Sequence, residues 1–187
     1  MTIKDVLKIT ALMIGRGDVI KYLNDDQTAS VGVDTVDSVN VLVGLANLVI
    51  NELSCTYIPM VKLETVSVES GKIYYGNLSE KVLHVREVYS SLGTPVSYTE
   101  TAKYIAVDLN KVDVEYEYAP KTLGIDEQTG YEEKDVPARV LSYGVAAEFA
   151  ISEGRFDDAV TFHKRYVDAL SEILVPKNVT VKKRSFC

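Results

Sequence analysis

The chain has 187 residues, 47 % of them apolar, and carries 20 basic against 27 acidic side chains for a net charge of -7. That length supports one good core, or one core with a smaller satellite layer, and the negative balance excludes a protein built chiefly to grip nucleic-acid phosphates, though not one that DNA merely passes. Cys55 and Cys187 are too few and too far apart for a disulfide framework or a zinc site, so a reducing compartment is the default.

At the N-terminus, Ile3, Val6, Leu7, Thr10, Ala11 and Ile14 recur at helical spacing behind Thr2, a capping residue, and Gly15 ends the helix. Arg16 to Leu23 holds another turn or two, and Asn24 to Gly32 has loop chemistry throughout. Asp34 is placed to cap a longer helix to about Leu53. Before Glu52 its only other charge is Asp37, and Val36, Val39, Val41, Leu42, Val43, Leu45, Ala46, Leu48, Val49 and Ile50 lie nearly all round it. Such a helix is expected to be buried on most sides and central to the fold. Its apolar region from Val39 to Ile50 reads as too short to span a bilayer and is interrupted by Asn40 and Asn47, while Asp5 and Lys8 break the pattern of a signal peptide. A soluble, unprocessed chain is the expectation.

Tyr57-Ile58-Pro59 breaks the helical period, and from Val61 to Tyr118 the spacing shifts toward alternation with abundant β-branched residues and tyrosines. Strands are expected near 61–69, 72–76, 82–89, 95–107 and 111–118, with a bulge or break where the phase slips between Leu63 and Val66. The cleanest alternation is the last, with Val112, Val114, Tyr116 and Tyr118 on one face and Asp113, Glu115 and Glu117 on the other. Pro120, Gly124, Gly130 and their acidic neighbours then mark a solvated connection.

From Asp135 to Val175 the chain reads as a helical hairpin. Val136-Pro137 opens it with Asp135 as N-cap, and Val140, Leu141, Gly144, Ala147, Ala150 and Ile151 follow at helical spacing, with small residues that let another helix approach. Gly154 suits the left-handed position after the first helix. Arg155-Phe156-Asp157-Asp158 restarts a helix whose stripe of Phe156, Ala159, Val160, His163, Tyr166, Val167, Leu170, Ile173 and Leu174 is wide enough to face a core. Pro176 stops it, and the tail from Lys177 to Cys187 is basic, with a short strand-like Val179-Thr180-Val181.

Helices, then strands, then helices predict an α+β fold: a helical bundle built from both ends with a small antiparallel β domain inserted and an extended C-terminal tail. The expected parts are an N-terminal helical part at 1–58, the inserted β domain at 59–120, a connecting loop at 121–134, the C-terminal hairpin at 135–175 and the basic arm at 176–187.

Chemistry-bearing patterns are sparse. His84 and His163 are isolated and lack the nucleophile or carboxylate partner a general base needs. Asp25-Asp26 and Glu132-Glu133 lack the staggered oxygens and glycine of a calcium loop. Phosphate-cradling, dinucleotide-binding and Gly-x-Ser-x-Gly motifs are missing from the sequence. No catalytic, cofactor-binding or metal residue is therefore assigned, and the chain is not expected to be an enzyme. Arg16-Gly17-Asp18 spells an integrin-type tripeptide, and Asn77-Leu78-Ser79 and Asn178-Val179-Thr180 are glycosylation sequons, all meaningful only in a secreted chain. Two surfaces keep paired readings. Asp113, Glu115 and Glu117 form an ordinary solvated strand face or a wall that repels DNA phosphates. The basic tail is a disordered end or an arm that orders on a partner.

Within the hairpin, Val136-Pro137-Ala138-Arg139-Val140-Leu141-Ser142-Tyr143-Gly144-Val145-Ala146-Ala147-Glu148-Phe149-Ala150, followed by Gly154-Arg155-Phe156-Asp157-Asp158-Ala159 and Tyr166-Val167-Asp168-Ala169-Leu170, resembles the C-terminal helical pair of tailed-bacteriophage head-to-tail adaptor proteins, including the tail tubular protein A of short-tailed phages. The resemblance implies a structural virion protein, assembled in the host cytoplasm and sited at the phage neck, whose copies form a ring, typically twelvefold, between the portal protein and a downstream tail or nozzle protein. Double-stranded DNA would pass through it without sequence-specific binding, with no cofactor and no membrane. By the same resemblance the portal-binding arm would comprise Lys177, Lys182, Lys183, Arg184 and Phe186, and acidic surface would line or rim the channel, for which the alternating Asp113, Glu115 and Glu117 are the candidates. The Gly-Arg-Phe-Asp-Asp-Ala turn is also one that tetratricopeptide helix pairs use, which leaves a monomeric peptide-binding module with a β insertion as the alternative.

Overall fold

The computed structural model describes residues 1–24 and 32–174, and over them the chain is α+β, with five α-helices and two small antiparallel sheets. It divides into two compact units, Met1–Ala46 with Glu132–Cys187, and Asn47–Tyr131.

In the first unit, α1 (Ile3–Met13) starts on a capping box: the Asp5 amide donates to the Thr2 hydroxyl at 3.2 Å and the Thr2 amide donates to the Asp5 carboxylate at 2.8 Å. The Thr2 amide, and then the Thr2 hydroxyl, which also donates to Asp5 at 2.8 Å, hold the Asp5 carboxyl below its ordinary value. Ile3, Val6, Leu7, Thr10 and Ala11 form its buried face. Gly15, at φ +76, turns the chain into α2 (Gly17–Leu23).

The long helix α3 (Val33–Glu52) continues into a π-helical turn at Leu53–Tyr57. Asp34 lies inside its first turn, not ahead of it. Contrary to the sequence expectation it is buried on one side only, along Val39, Leu42, Ala46, Val49, Ile50 and Leu53, while Val33, Val41 and Leu48 are exposed. The stretch Val33–Tyr57 spans 25 residues and is long and apolar enough to cross a membrane by length and composition, so the reading of too short an apolar region does not hold. A mostly buried core helix passes the same test; here about a third of the stretch is buried, along the stripe just named.

The central helix is instead α4 (Ala138–Ser152), in which Ala138, all of Val140–Ala147, Phe149 and Ala150 are buried. Its small side chains, not its hydrophobicity, decide this, because they let α1 and the last helix, α5 (Phe156–Leu174), both pack against it. Buried Ser142 ties α4 to α1, donating its hydroxyl to the Val6 carbonyl at 3.0 Å as well as to that of Ala138. The N-terminus is not capped by Asp135. Pro137 occupies the cap position without a side-chain bond, and the Glu133 carboxylate accepts from the Ala138 amide at 3.0 Å. Gly154, at φ +71, joins α4 to α5.

In the second unit, β1 (Met60–Ser67), β6 (Lys111–Ala119) and β3 (Lys81–Ser90) form one sheet in the order β1-β6-β3, and β2 (Lys72–Tyr74), β5 (Tyr104–Ala106) and β4 (Thr99–Glu100) form the other in the order β2-β5-β4. Both contribute to a single core of Ile73, Leu78, Val85, Val88, Ile105, Val107, Val112, Val114 and Tyr116. The single strand expected over 95–107 is two short ones, folded into a hairpin by Thr101, whose hydroxyl donates to the Tyr104 carbonyl and accepts from the Tyr104 amide.

The expected bulge between Leu63 and Val66 is absent, since β1 pairs with β6 in unbroken register from Met60↔Tyr118 to Ser67↔Lys111. Instead, β3 carries two register shifts, at Val82/His84 and Val85/Glu87. The apolar phase slips in β1 because Glu64 takes an inward position, bonded to the core tyrosine, while Leu63 faces outward and is 61 % exposed.

Candidate functional site

The acidic alternation of β6 places Asp113, Glu115 and Glu117 on the middle strand of the larger sheet, on the face opposite Val112, Val114 and Tyr116. Each carboxylate is engaged across the sheet. Thr65 of β1 donates to Asp113, the Tyr89 phenol of β3 donates to Glu115 at 3.0 Å, and Arg86 of β3 pairs with Glu117 at 2.9 Å. The bond to Glu115 pushes the Tyr89 phenol above its ordinary value. Glu87 sits opposite Glu115 in the register, so like charges adjoin at the centre of the face. The result is a mostly acidic face whose β6 carboxylates are each held from a neighbouring strand, with exposed Val61 and Leu63 of β1 opposite Glu117 and Glu115.

Glu64, Ser79, Tyr116 and Lys62 form the most organised polar cluster, which the sequence patterns did not single out. Glu64 accepts from the Ser79 hydroxyl at 2.6 Å, the Ser79 amide at 3.1 Å and the Tyr116 phenol at 2.7 Å, while the Lys62 ammonium donates to Ser79 at 2.6 Å. Burial pushes the Glu64 carboxyl up, yet these donors and Lys62 more than offset it and hold it below its ordinary value. Burial, then the carboxylate neighbour, raises Tyr116. A carboxylate so stabilised is a weak base, and the Ser79 oxygen that donates to it accepts a hydrogen bond from the Lys62 ammonium, which lowers its nucleophilicity. The cluster satisfies inward-pointing polar groups on an edge strand, an arrangement that discourages sheet-to-sheet pairing.

Both histidines are exposed, His84 opposite Glu117 in the sheet and His163 on α5 beside Tyr166. Arg16 and Asp18 of the integrin-type tripeptide pair with each other at 2.7 Å. Glu132 pairs with Lys134, and Glu133 caps α4. Among the described residues, three or more His, Cys, Asp or Glu side chains nowhere group closely enough to hold a metal. Asp25-Asp26 and the proposed arm residues Lys177, Lys182, Lys183, Arg184 and Phe186 lie outside the described residues.

Between α4 and α5 runs a groove of about 480 Å³, lined by Pro137, Arg139, Val140, Tyr143, Arg165, Asp168, Ala169 and Glu172. Arg139 donates to the Tyr143 hydroxyl at 2.7 Å, and the guanidinium carbons of Arg139 and Arg165 lie 5.3 and 6.0 Å from its ring centre. No protein-family model matches the chain, and no curated protein matches it.

Proposed function

We propose that this chain is a structural virion protein, a head-to-tail adaptor whose copies form a ring between the portal and the downstream tail or nozzle protein and let double-stranded DNA pass. The finer architecture that goes with this reading is a bundle of N- and C-terminal helices with an inserted β domain and a portal-facing C-terminal arm. The observation that carries assembly is the uncovered apolar surface of two long helices, Val33, Val41 and Leu48 on α3 and Phe156, Val160 and Val167 on α5. Exposed apolar residues recurring along one side of a regular helix suit a surface that a partner covers. Resemblance of the α4–α5 sequence to adaptor proteins gives the assembly its identity, and the braced acidic sheet face suits a surface past which DNA slides without adhering. The mechanism is assembly and passive conduction, without turnover and without a cofactor.

Co-sedimentation with the cognate portal protein tests the reading. A stoichiometric complex that is lost when residues 176–187 are removed supports it, and failure to co-sediment at any concentration rejects it.

The groove between α4 and α5, with its two guanidinium groups over Tyr143, favours one second reading, a peptide-binding module. That reading requires a stable monomer whose peptide affinity falls on Arg165→Ala, measured by isothermal titration against a library of extended acidic peptides.

A further inference from the structure

We infer that copies of this chain join by seating a strip of α5 on a strip of α3 of the next copy. This rests on the ring reading and names its contact. The buried positions of α5 are Ala159, Tyr166 and Leu170. Directly beside them, Phe156, Val160, His163, Lys164, Val167 and Leu174 recur at helical spacing and are all exposed, Phe156 by 67 % and Val160 by 70 %. About half of the apolar arc of this helix is thus covered by its own chain. The strip holds one charged side chain, Lys164.

On α3, Val33, Asp37, Val41, Gly44 and Leu48 recur at steps of three and four and are likewise all exposed. This strip also holds one charge, and it is Asp37. Among the described residues neither Lys164 nor Asp37 has an ion-pair partner. Gly44 marks where the contact centres. A glycine inside a helix costs about 1 kcal/mol relative to alanine. A Cβ at Gly44 would meet nothing within 4 Å, so the fold itself gives no reason for the glycine. What it creates is a gap between Val41 and Leu48, into which a ridge of a second helix fits.

One strip is a bulky ridge with a lone cation, and the other is a notched surface with a lone anion. Because every copy carries both, the complementary contact is heterologous and propagates from copy to copy, as a closed ring requires.

The test compares wild type, Lys164→Asp, Asp37→Lys and the double variant by light scattering over a concentration series, with circular dichroism melts to confirm folding. Both positions are exposed, so melts taken at concentrations where all four proteins are monomeric should match. Each single reversal is expected to raise the half-assembly concentration about tenfold or more, the scale of losing one charged contact at an interface centre, and the double variant to recover most of it. Gly44→Leu is expected to block assembly while its monomer melts no lower than wild type, since the change removes a mid-helix glycine and a Cβ there meets nothing.

Singles that assemble like wild type overturn the inference while leaving the ring reading intact, and a double variant no better than the singles overturns the pairing of these strips. Single variants that keep their own oligomer but lose the portal assign the strips to the portal instead. A wild type that never assembles, with or without portal, rejects the ring reading itself.

Discussion

Replacing Tyr116 by phenylalanine removes one oxygen from the largest fully buried side chain of the β unit and leaves its shape unchanged. Tyr116 is 0 % exposed, and its phenol donates at 2.7 Å to the same Glu64 oxygen that accepts from the Ser79 hydroxyl and amide. A hydrogen bond to a charged group contributes roughly 1.5–3 kcal/mol, and since Glu64 keeps its two Ser79 donors the lower end applies. Tyr116→Phe is therefore expected to cost about 1.5 kcal/mol near neutral pH. For a chain of this size that lowers the melting temperature by about 3–6 °C. Urea titration should show a lower midpoint with an unchanged slope.

The pH dependence has a defined sign. Glu64 has a folded-state pKa below its ordinary value, so its contribution is present above the ordinary carboxylate pKa and is lost as pH falls through the folded value. The gap between wild type and Tyr116→Phe must shrink over that acid window. Equal stability of the two proteins at neutral pH, or a gap that persists undiminished in acid, refutes the role given to the Glu64 cluster.

Gly130→Ala is expected to destabilise by about 1–2 kcal/mol in the same urea assay, because φ is +83 there and an added Cβ would come within 2.9 Å of the Met60 methyl. At the start of α4, Glu133→Ala should cost about 0.5–1 kcal/mol by thermal melt, whereas Asp135→Ala should stay within about 0.5 kcal/mol of wild type, since the Ala138 amide is bonded to Glu133. Burial and the Glu100 carboxylate push the Tyr75 phenol up to about 12. Ultraviolet titration should accordingly lose one late-titrating tyrosine in Tyr75→Phe, and the stability this phenol contributes is present below its unfolded value and lost as pH rises through the folded one.

Local signals in the sequence were legible in part, since Thr2, Gly15 and Gly154 act as read while Asp34 and Asp135 do not cap their helices. Thr2 followed three residues later by Asp5 is a capping box in the structure, and Gly15 and Gly154 take the positive φ that ends their helices. Which helix lies at the centre was not legible from hydrophobicity. The nearly uncharged α3 leaves Val41 and Leu48 exposed, while α4, with Gly144, Ala146 and Ala147, is enclosed because small residues admit neighbours on more than one side. The wide stripe of α5 was legible as apolar but not as half uncovered, since a periodic pattern does not distinguish a face packed by its own chain from one packed by another. Glu64 defeated the strand reading for a comparable reason. An inward carboxylate looks like a phase error until Ser79 and Tyr116, distant in sequence, supply its donors. On the acidic face of β6 the alternation was plain, but the bracing by Thr65, Tyr89 and Arg86 depends on strand order, which the sequence does not encode locally.

Native mass spectrometry of the purified full chain across a concentration series tests ring formation most directly. The account predicts a closed oligomer of about a dozen copies, populated without intermediates of arbitrary size once the first contacts form. A single monomer peak at every concentration, unchanged when portal protein is added, contradicts it.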